Sequence, residues 1–246
     1  MIITPYCFAS ILICSPASPC HRSLMTSRHF RSSIIAAVIQ VAKVADVQDD
    51  IAFNRVVSLC ASHLCEPAND HEKQQFKREM TKNLLDRFSS RNSRRHALLI
   101  AQDEAGLLVG ACGIEVIEML LDGHSPRTTV EAAESYLRPL LSNLVVHKNF
   151  RRRGVARRLV QESEGQARSW GFSELLLKVE KGNTQAEALY LSLGFRQISE
   201  DTRAEKPQAG RWCVQWVPTT NRIMLKDMGF DPARSNCGEA AQLRLG

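Results

Sequence analysis

The stretch LSNLVVHKNFRRRGVARRLV, Leu141–Val160, constrains the fold more than any other part of this chain. An apolar, β-branched run ends at Val146. A polar loop carries the chain to Arg153. From Gly154 to Ser169 the residues Val155, Leu159, Val160, Ser163 and Ala167 recur at helical spacing, so the pattern changes from strand to helix across one glycine. The first N–H groups of a helix lack internal partners, and the helix dipole is positive there. A phosphate placed at that end meets several donors and a favourable field. Gly154 lets backbone approach a ligand closely, Ala156 is nearly as small, and Arg151 adds charge at the rim. Five arginines lie between Arg151 and Arg158, so the stretch reads either as a nucleic-acid patch or as a phosphate cradle.

Charge favours the cradle. The net charge is +6 over 246 residues, modest for a chain that binds nucleic acid by charge, and few aromatics accompany the arginines. A co-substrate with several phosphates accounts for a local basic cluster. The charge is also uneven. Residues 1–45 contain no Asp or Glu but hold Arg22, Arg28, Arg31, Lys43 and seven serines. That composition is expected of a disordered organelle transit peptide over residues 1–32; the alternatives are an untargeted tail or an upstream extension, with Met25 as a second start. No apolar run reaches the roughly 18 residues of a membrane span. The eight cysteines have no regular spacing, and the cluster CASHLC (Cys60–Cys65) lacks a second ligand pair. They read as reduced thiols, and no metal is expected.

Elsewhere the periodicity predicts a first strand at Ser33–Val44, helices at Asp49–Leu64 and His71–Phe88, and strands at Arg95–Asp103 and from Leu107. A polar stretch, DGHSPRTTVEAAES, precedes a strand at Tyr136–Val146. SELLLKVE, ending at Glu180, is continuously apolar and reads as a strand buried in the sheet. Two further short strands, FRQIS and TTNRIMLKDM, flank a long expected loop, EDTRAEKPQAGRWCVQWVPTT. The order β-α-α-β-β-β-α-β-α-β-β is a mixed α/β sheet.

The second motif is NTQAEALYLSLGF, Asn183–Phe195. Asn183 is a good N-cap, and Tyr190 falls two turns later, so Asn183, Ala186 and Tyr190 form one stripe. An amide and a phenol on one side of a short helix can both meet an elongated ligand. Without the motif, Tyr190 reads better as a core aromatic on an amphipathic helix.

RRRGVA resembles the Arg/Gln-x-x-Gly-x-Gly/Ala signature of the GCN5-related N-acetyltransferase (GNAT) superfamily, matched by Arg151, Gly154 and Ala156. NTQAEALYLSLGF is similar to the second signature of that family at Asn183, Ala186, Leu189, Tyr190, Gly194 and Phe195. The resemblance covers Tyr136–Phe195. It implies a GNAT fold over residues 33–230: a mixed, mostly antiparallel sheet of about six or seven strands, splayed at an acetyl-CoA site and flanked by about four helices. Residues 231–246 are then a flexible tail. It further implies that the backbone of Leu144, Val145 and Val146 pairs with the pantetheine arm. Arg151, Arg152, Arg153, Gly154, Val155, Ala156 and Arg157 would hold the pyrophosphate. Asn183, with Thr184 and Gln185, would position the arm. Tyr190 would be the general acid to the leaving thiolate, after a neutral amine attacks the thioester and an N–H near Val146 stabilises the oxyanion. Glu115, Glu118 and Glu180 are candidate bases; Glu180 reads equally as a strand-end carboxylate in solvent. Arg157 and Arg158 are either a solvated face or contacts to the 3′-phosphate. Trp170 reads as a packing residue and His147 as a loop-surface residue. The phrase around Arg151 is similar to plastid enzymes that acetylate protein N-termini and lysines, so a protein or peptide amine is the expected partner and the plastid the expected location, with mitochondrion or cytoplasm as alternatives. A small-molecule amine is the alternative acceptor; a CoA-binding module without catalysis is the alternative class.

Overall fold

A computed structural model describes residues 40–43, 51–65, 67–89 and 95–229. The expected leader, most of the expected first strand and the expected tail lie outside the described residues. The elements in chain order are β1 (Gln40–Lys43), α1 (Ile51–His63), α2 (Asp70–Phe88), β2 (His96–Gln102), β3 (Leu108–Met119), α3 (Thr129–Ala133), β4 (Tyr136–Val146), α4 (Val155–Ser169), β5 (Glu174–Glu180), α5 (Thr184–Ser192), β6 (Arg196–Ala209) and β7 (Val214–Asp227). One seven-stranded sheet runs β1-β2-β3-β4-β5-β7-β6. Every neighbouring pair is antiparallel except β4 and β5, which are parallel.

Helices cover both faces. The stripe of α4 predicted from spacing is the buried one: Val155, Leu159, Val160, Ser163 and Ala167. With Ala186 and Tyr190 of α5 these pack on Leu175, Leu177 and Val179 of β5 and on alternate residues of β2 and β3. Phe53, Val56, Val57 and Cys60 of α1 and Met80, Leu84 and Phe88 of α2 cover the other face, against Leu98, Ile100 and Val145. Two glycines in β3 permit the close packing. A Cβ at Gly113 would lie 2.3 Å from Phe88 Cζ, and one at Gly110 would lie 3.0 Å from Val155 Cγ1. The start of α2 is locally determined as well. Asn69 accepts from the Glu72 N–H while Glu72 accepts from the Ala68 N–H, so the helix end is capped reciprocally.

The expected long loop after Ser199 is not a loop. β6 and β7 are 14 residues each and meet in a tight turn in which the Gly210 N–H donates to the Cys213 carbonyl at 3.0 Å. Register shifts at Gln197/Ser199 and Asp201/Ala204 break the alternation that would have marked the strands. Pro207 sits on the edge strand and Pro218 where β7 has run past β5, positions that need no ladder N–H. The ribbon also exposes both faces over much of its length, so it carries no apolar stripe. Two smaller features went unread: α3 within the polar stretch, N-capped by Thr128, and a single 3-10 turn at Lys148–Phe150.

Candidate functional site

The parallel ladder between β4 and β5 consists of two pairs, Leu140 with Leu176 and Leu141 with Leu177. Beyond Leu141 the strands separate. The cause lies in β4: Asn143 has φ 51°, and the β3–β4 register shifts between Ala111 and Gly113. A bulge there bends the strand away from its neighbour. The backbone of Leu144, Val145 and Val146 borders the resulting opening, while β3 pairs with Val145 and Val146 from the other side. The Leu144 and Val145 side chains are buried on opposite faces of the sheet.

The arginine loop closes one end of the opening. Gly154 is the N-cap of α4 at φ 83°, a left-handed conformation that disfavours any other residue. A Cβ there would meet nothing within 4 Å, so conformation demands the glycine and the space in front of it is open. No side chain caps α4, and its first turn has no acid. The helix therefore presents uncapped donors and an uncompensated positive end. Arg151 donates from Nε to the Val146 carbonyl at 3.3 Å, joining loop to strand. Arg152, at φ 62°, and Arg153 are exposed, and the Arg153 guanidinium lies 5.2 Å over the Phe150 ring. Val155 is buried and Ala156 half-buried. Arg157 is exposed and reaches Ser192 Oγ at 3.3 Å, tying α4 to α5. Arg158 pairs with Glu162 on the solvent side.

The stripe on α5 faces inward. Asn183 Oδ1 accepts from the Ala186 N–H at 3.2 Å, but its Nδ2 is buried without a partner. Thr184 and Gln185 are exposed in the first turn. Tyr190 is fully buried, edge-on to Phe195 at 5.6 Å, and its hydroxyl has no partner. Burial, with Cys112 nearby, holds the phenol well above its usual range, so it is a proton carrier at any ordinary pH. Buried polar atoms in native proteins are normally satisfied. Two unsatisfied atoms, an amide N–H and a phenol, on one helix beside an open strand edge therefore fit a polar ligand, and the uncapped α4 end fits its phosphates.

The three carboxylate candidates separate. Glu115 is buried and receives the Arg87 guanidinium, whose Nε donates at 2.8 Å; Arg87 also donates to Ser142, so this carboxylate is committed to a structural ion pair. Glu118 is exposed. Glu180 is not a carboxylate in free solvent: it accepts from Lys206 Nζ at 2.5 Å and from Thr219 Oγ1 at 3.1 Å. Lys206 and Thr219 were missed because only the β6–β7 pairing brings them there. His147 is half-buried rather than on the loop surface, with its ring 4.9 Å from that of His63. Trp170 is the C-cap of α4 and packs on the core as expected. Cys60 lies buried in α1, where burial raises its thiol. Among the described residues no group of three or more His, Cys, Asp or Glu is placed to hold a metal, and no helix is long and apolar enough to cross a membrane.

This combination of a bulged, splayed strand, a glycine-capped helix and an Asn–Tyr helix defines the class. The chain belongs to the acetyltransferase (GNAT) family, whose model matches residues 60–195, more than half of the chain. It is 31% identical over 103 residues to the GCN5-related N-acetyltransferase 4, chloroplastic, of Arabidopsis thaliana, across 42% of this chain and 34% of that protein. A 59-residue segment is 41% identical to the ribosomal protein bS18-alanine N-acetyltransferase of Haemophilus ducreyi, across 24% of this chain and 41% of that protein. The chain thus spans less than half the length of these curated relatives. The crystal structure of the ribosomal-protein-S18-alanine N-acetyltransferase from Escherichia coli shares the fold, with a TM-score of 0.50 at 14% identity over 82% of this chain and 99% of that one.

Proposed function

We propose that this protein is an acetyl-CoA-dependent N-acetyltransferase whose acceptors are primary amines of proteins, N-terminal α-amines or lysine ε-amines. The observation that carries the reading is the opening between β4 and β5, bordered at once by the uncapped α4 N-terminus and by the unpartnered Asn183 and Tyr190 donors. When bound, acetyl-CoA supplies an acyl group on a thioester. The N–H groups at Arg152–Arg157 would receive its diphosphate, and the free edge at Leu144–Val146 would hold its amide arm. Asn183 Nδ2 would donate to that arm. Tyr190 keeps its proton because burial disfavours the phenolate, and delivers it to the departing sulfur.

The choice of protein amines is supported by likeness to two relatives. One bears a chloroplastic name; the other is named for acetylating an alanine of a ribosomal protein. The acid-poor leader supports a plastid location, testable by imaging residues 1–60 fused to a fluorescent reporter. For the activity, the protein is incubated with acetyl-CoA and peptide libraries and the products are read by mass spectrometry. Acetyl groups on α-amines or lysines are expected. Acetylation of small amines alone would move the acceptor to the small-molecule class, and acetyl-CoA binding without transfer to any amine would overturn the catalytic reading.

A further inference from the structure

Side chains of β5 alternate between the faces of the sheet. Leu175, Leu177 and Val179 pack toward α4 and α5, whereas Leu176 belongs to the cluster on the other face with Ile117, Leu140 and Ile223. Lys178 and Glu180 therefore project on that second face, where β5 borders the opening from β4. Cross-strand register sets Asn221 of β7 beside Glu180, and Asp201 of β6 beside Asn221. Asn221 is 4% exposed, and its Oδ1 is buried with no partner. An unfilled acceptor lies beside a carboxylate whose present partner is a lysine ammonium. Asp201, by contrast, is occupied by Lys178 at 3.6 Å, which keeps that buried cation paired.

We propose that Glu180 and Asn221 form the seat for the acceptor's ammonium, and that Lys206 fills it as an internal stand-in until an acceptor displaces it. The proposal rests on the acetyl-transfer reading above. The Glu180 carboxylate and the unpartnered Asn221 Oδ1 are acceptors, as a cation with N–H donors requires. Thr219 holds the carboxylate in place. Lys206 reaches it from the edge strand β6, and its own side chain is 38% exposed, so the ammonium can swing into water without uncovering core. A seated ammonium that gives its proton to water leaves the neutral amine on the face of the sheet opposite the helix that carries Tyr190. Glu180 and Lys206 thus act as positioning and selecting residues: an acceptor must carry a cation able to compete with Lys206.

The test reads Lys206 directly. The full chain, with CoA present, is treated with an amine-acylating reagent, and modification of Lys206 is quantified by mass spectrometry. A library of lysine-free peptides with free α-amines is expected to raise Lys206 labelling at least about fivefold, and the same library with blocked α-amines to leave it unchanged. Glu180→Gln should raise labelling without any peptide. Equal labelling in every arm, or release by the blocked library, overturns the proposal. Kinetics supply the second readout. Lys206→Met should lower KM for the free-amine library about three- to tenfold, leave KM for acetyl-CoA unmoved, and have no effect in a Glu180→Gln background. An unchanged or raised acceptor KM overturns it. If no acetyl transfer occurs at all, the functional reading fails, and the labelling arms still decide whether an ammonium displaces Lys206.

Discussion

At the scale of single residues, one buried hydroxyl and two buried thiols have measurable consequences. The Tyr190 hydroxyl is buried with no hydrogen-bond partner, which costs about 1–3 kcal/mol. Tyr190→Phe is therefore expected to raise Tm while lowering kcat by about 100-fold or more, with acetyl-CoA affinity little changed. Calorimetry and steady-state kinetics on one preparation check both halves; unaltered kcat would remove Tyr190 from the chemistry. The buried thiols predict behaviour in alkali. Burial pushes Cys65 and Cys112 up to about 12, against about 8.5 for an unfolded thiol. Above about pH 8.5 the unfolded chain loses protons that the native chain keeps, so stability falls as pH rises through that window and is independent of these groups below it. Tm measured across pH should decline above about pH 8. Replacing both cysteines by alanine should flatten that decline while lowering Tm overall through the cavities left behind.

At the scale of elements, the start of α4 and the Arg87–Glu115 bond joining α2 to β3 carry opposite demands. Gly154 stands at φ 83° with open space ahead, so Gly154→Ala costs about 1–2 kcal/mol of backbone strain and should weaken acetyl-CoA binding, since the first donors of α4 must shift. Isothermal titration and thermal unfolding measure the two effects separately. Glu115 serves the fold. Glu115→Ala leaves the Arg87 guanidinium without its buried carboxylate and is expected to cost about 3–5 kcal/mol. A variant that folds and retains full activity would confirm its exclusion from catalysis; wild-type stability would contradict the ion-pair reading.

For the molecule as a whole, the sheet is held together by only two ladder pairs at its centre, between β4 and β5. Its halves, β1 to β4 and β5 to β6, are further joined by the Arg138–Glu174 ion pair and by helices packed across them. A ligand that fills the opening and bonds to both sides completes the sheet. At 100 times its Kd, acetyl-CoA should stabilise the protein by about 2.7 kcal/mol, an increase in Tm of about 5–10 °C in thermal-shift measurements. Absence of any shift would argue against the opening as the binding site.

The local half of this protein could be read from residue order alone. The α4 stripe, the buried run of β5, the glycine that opens α4 and the Asn183–Tyr190 face are short-range patterns, set by 2.0- and 3.6-residue periods and by the chemistry of helix ends. The β4 strand and its bounds followed from the same rule. Two things did not follow. The splay of β4 from β5 depends on a bulge at Asn143 formed only against β3, and no periodicity encodes it. The environment of Glu180 depends on register within a charged ribbon, which brings Thr219, Asn221 and Lys206 to one carboxylate from positions 26 to 41 residues away in sequence. Sequence determined which helix end stands uncapped behind a glycine and which stripe of the last helix carries Asn183 and Tyr190. Tertiary structure decided how each carboxylate is paired, Glu115 with Arg87 and Glu180 with Lys206, because burial and pairing are properties of neighbours that only folding supplies.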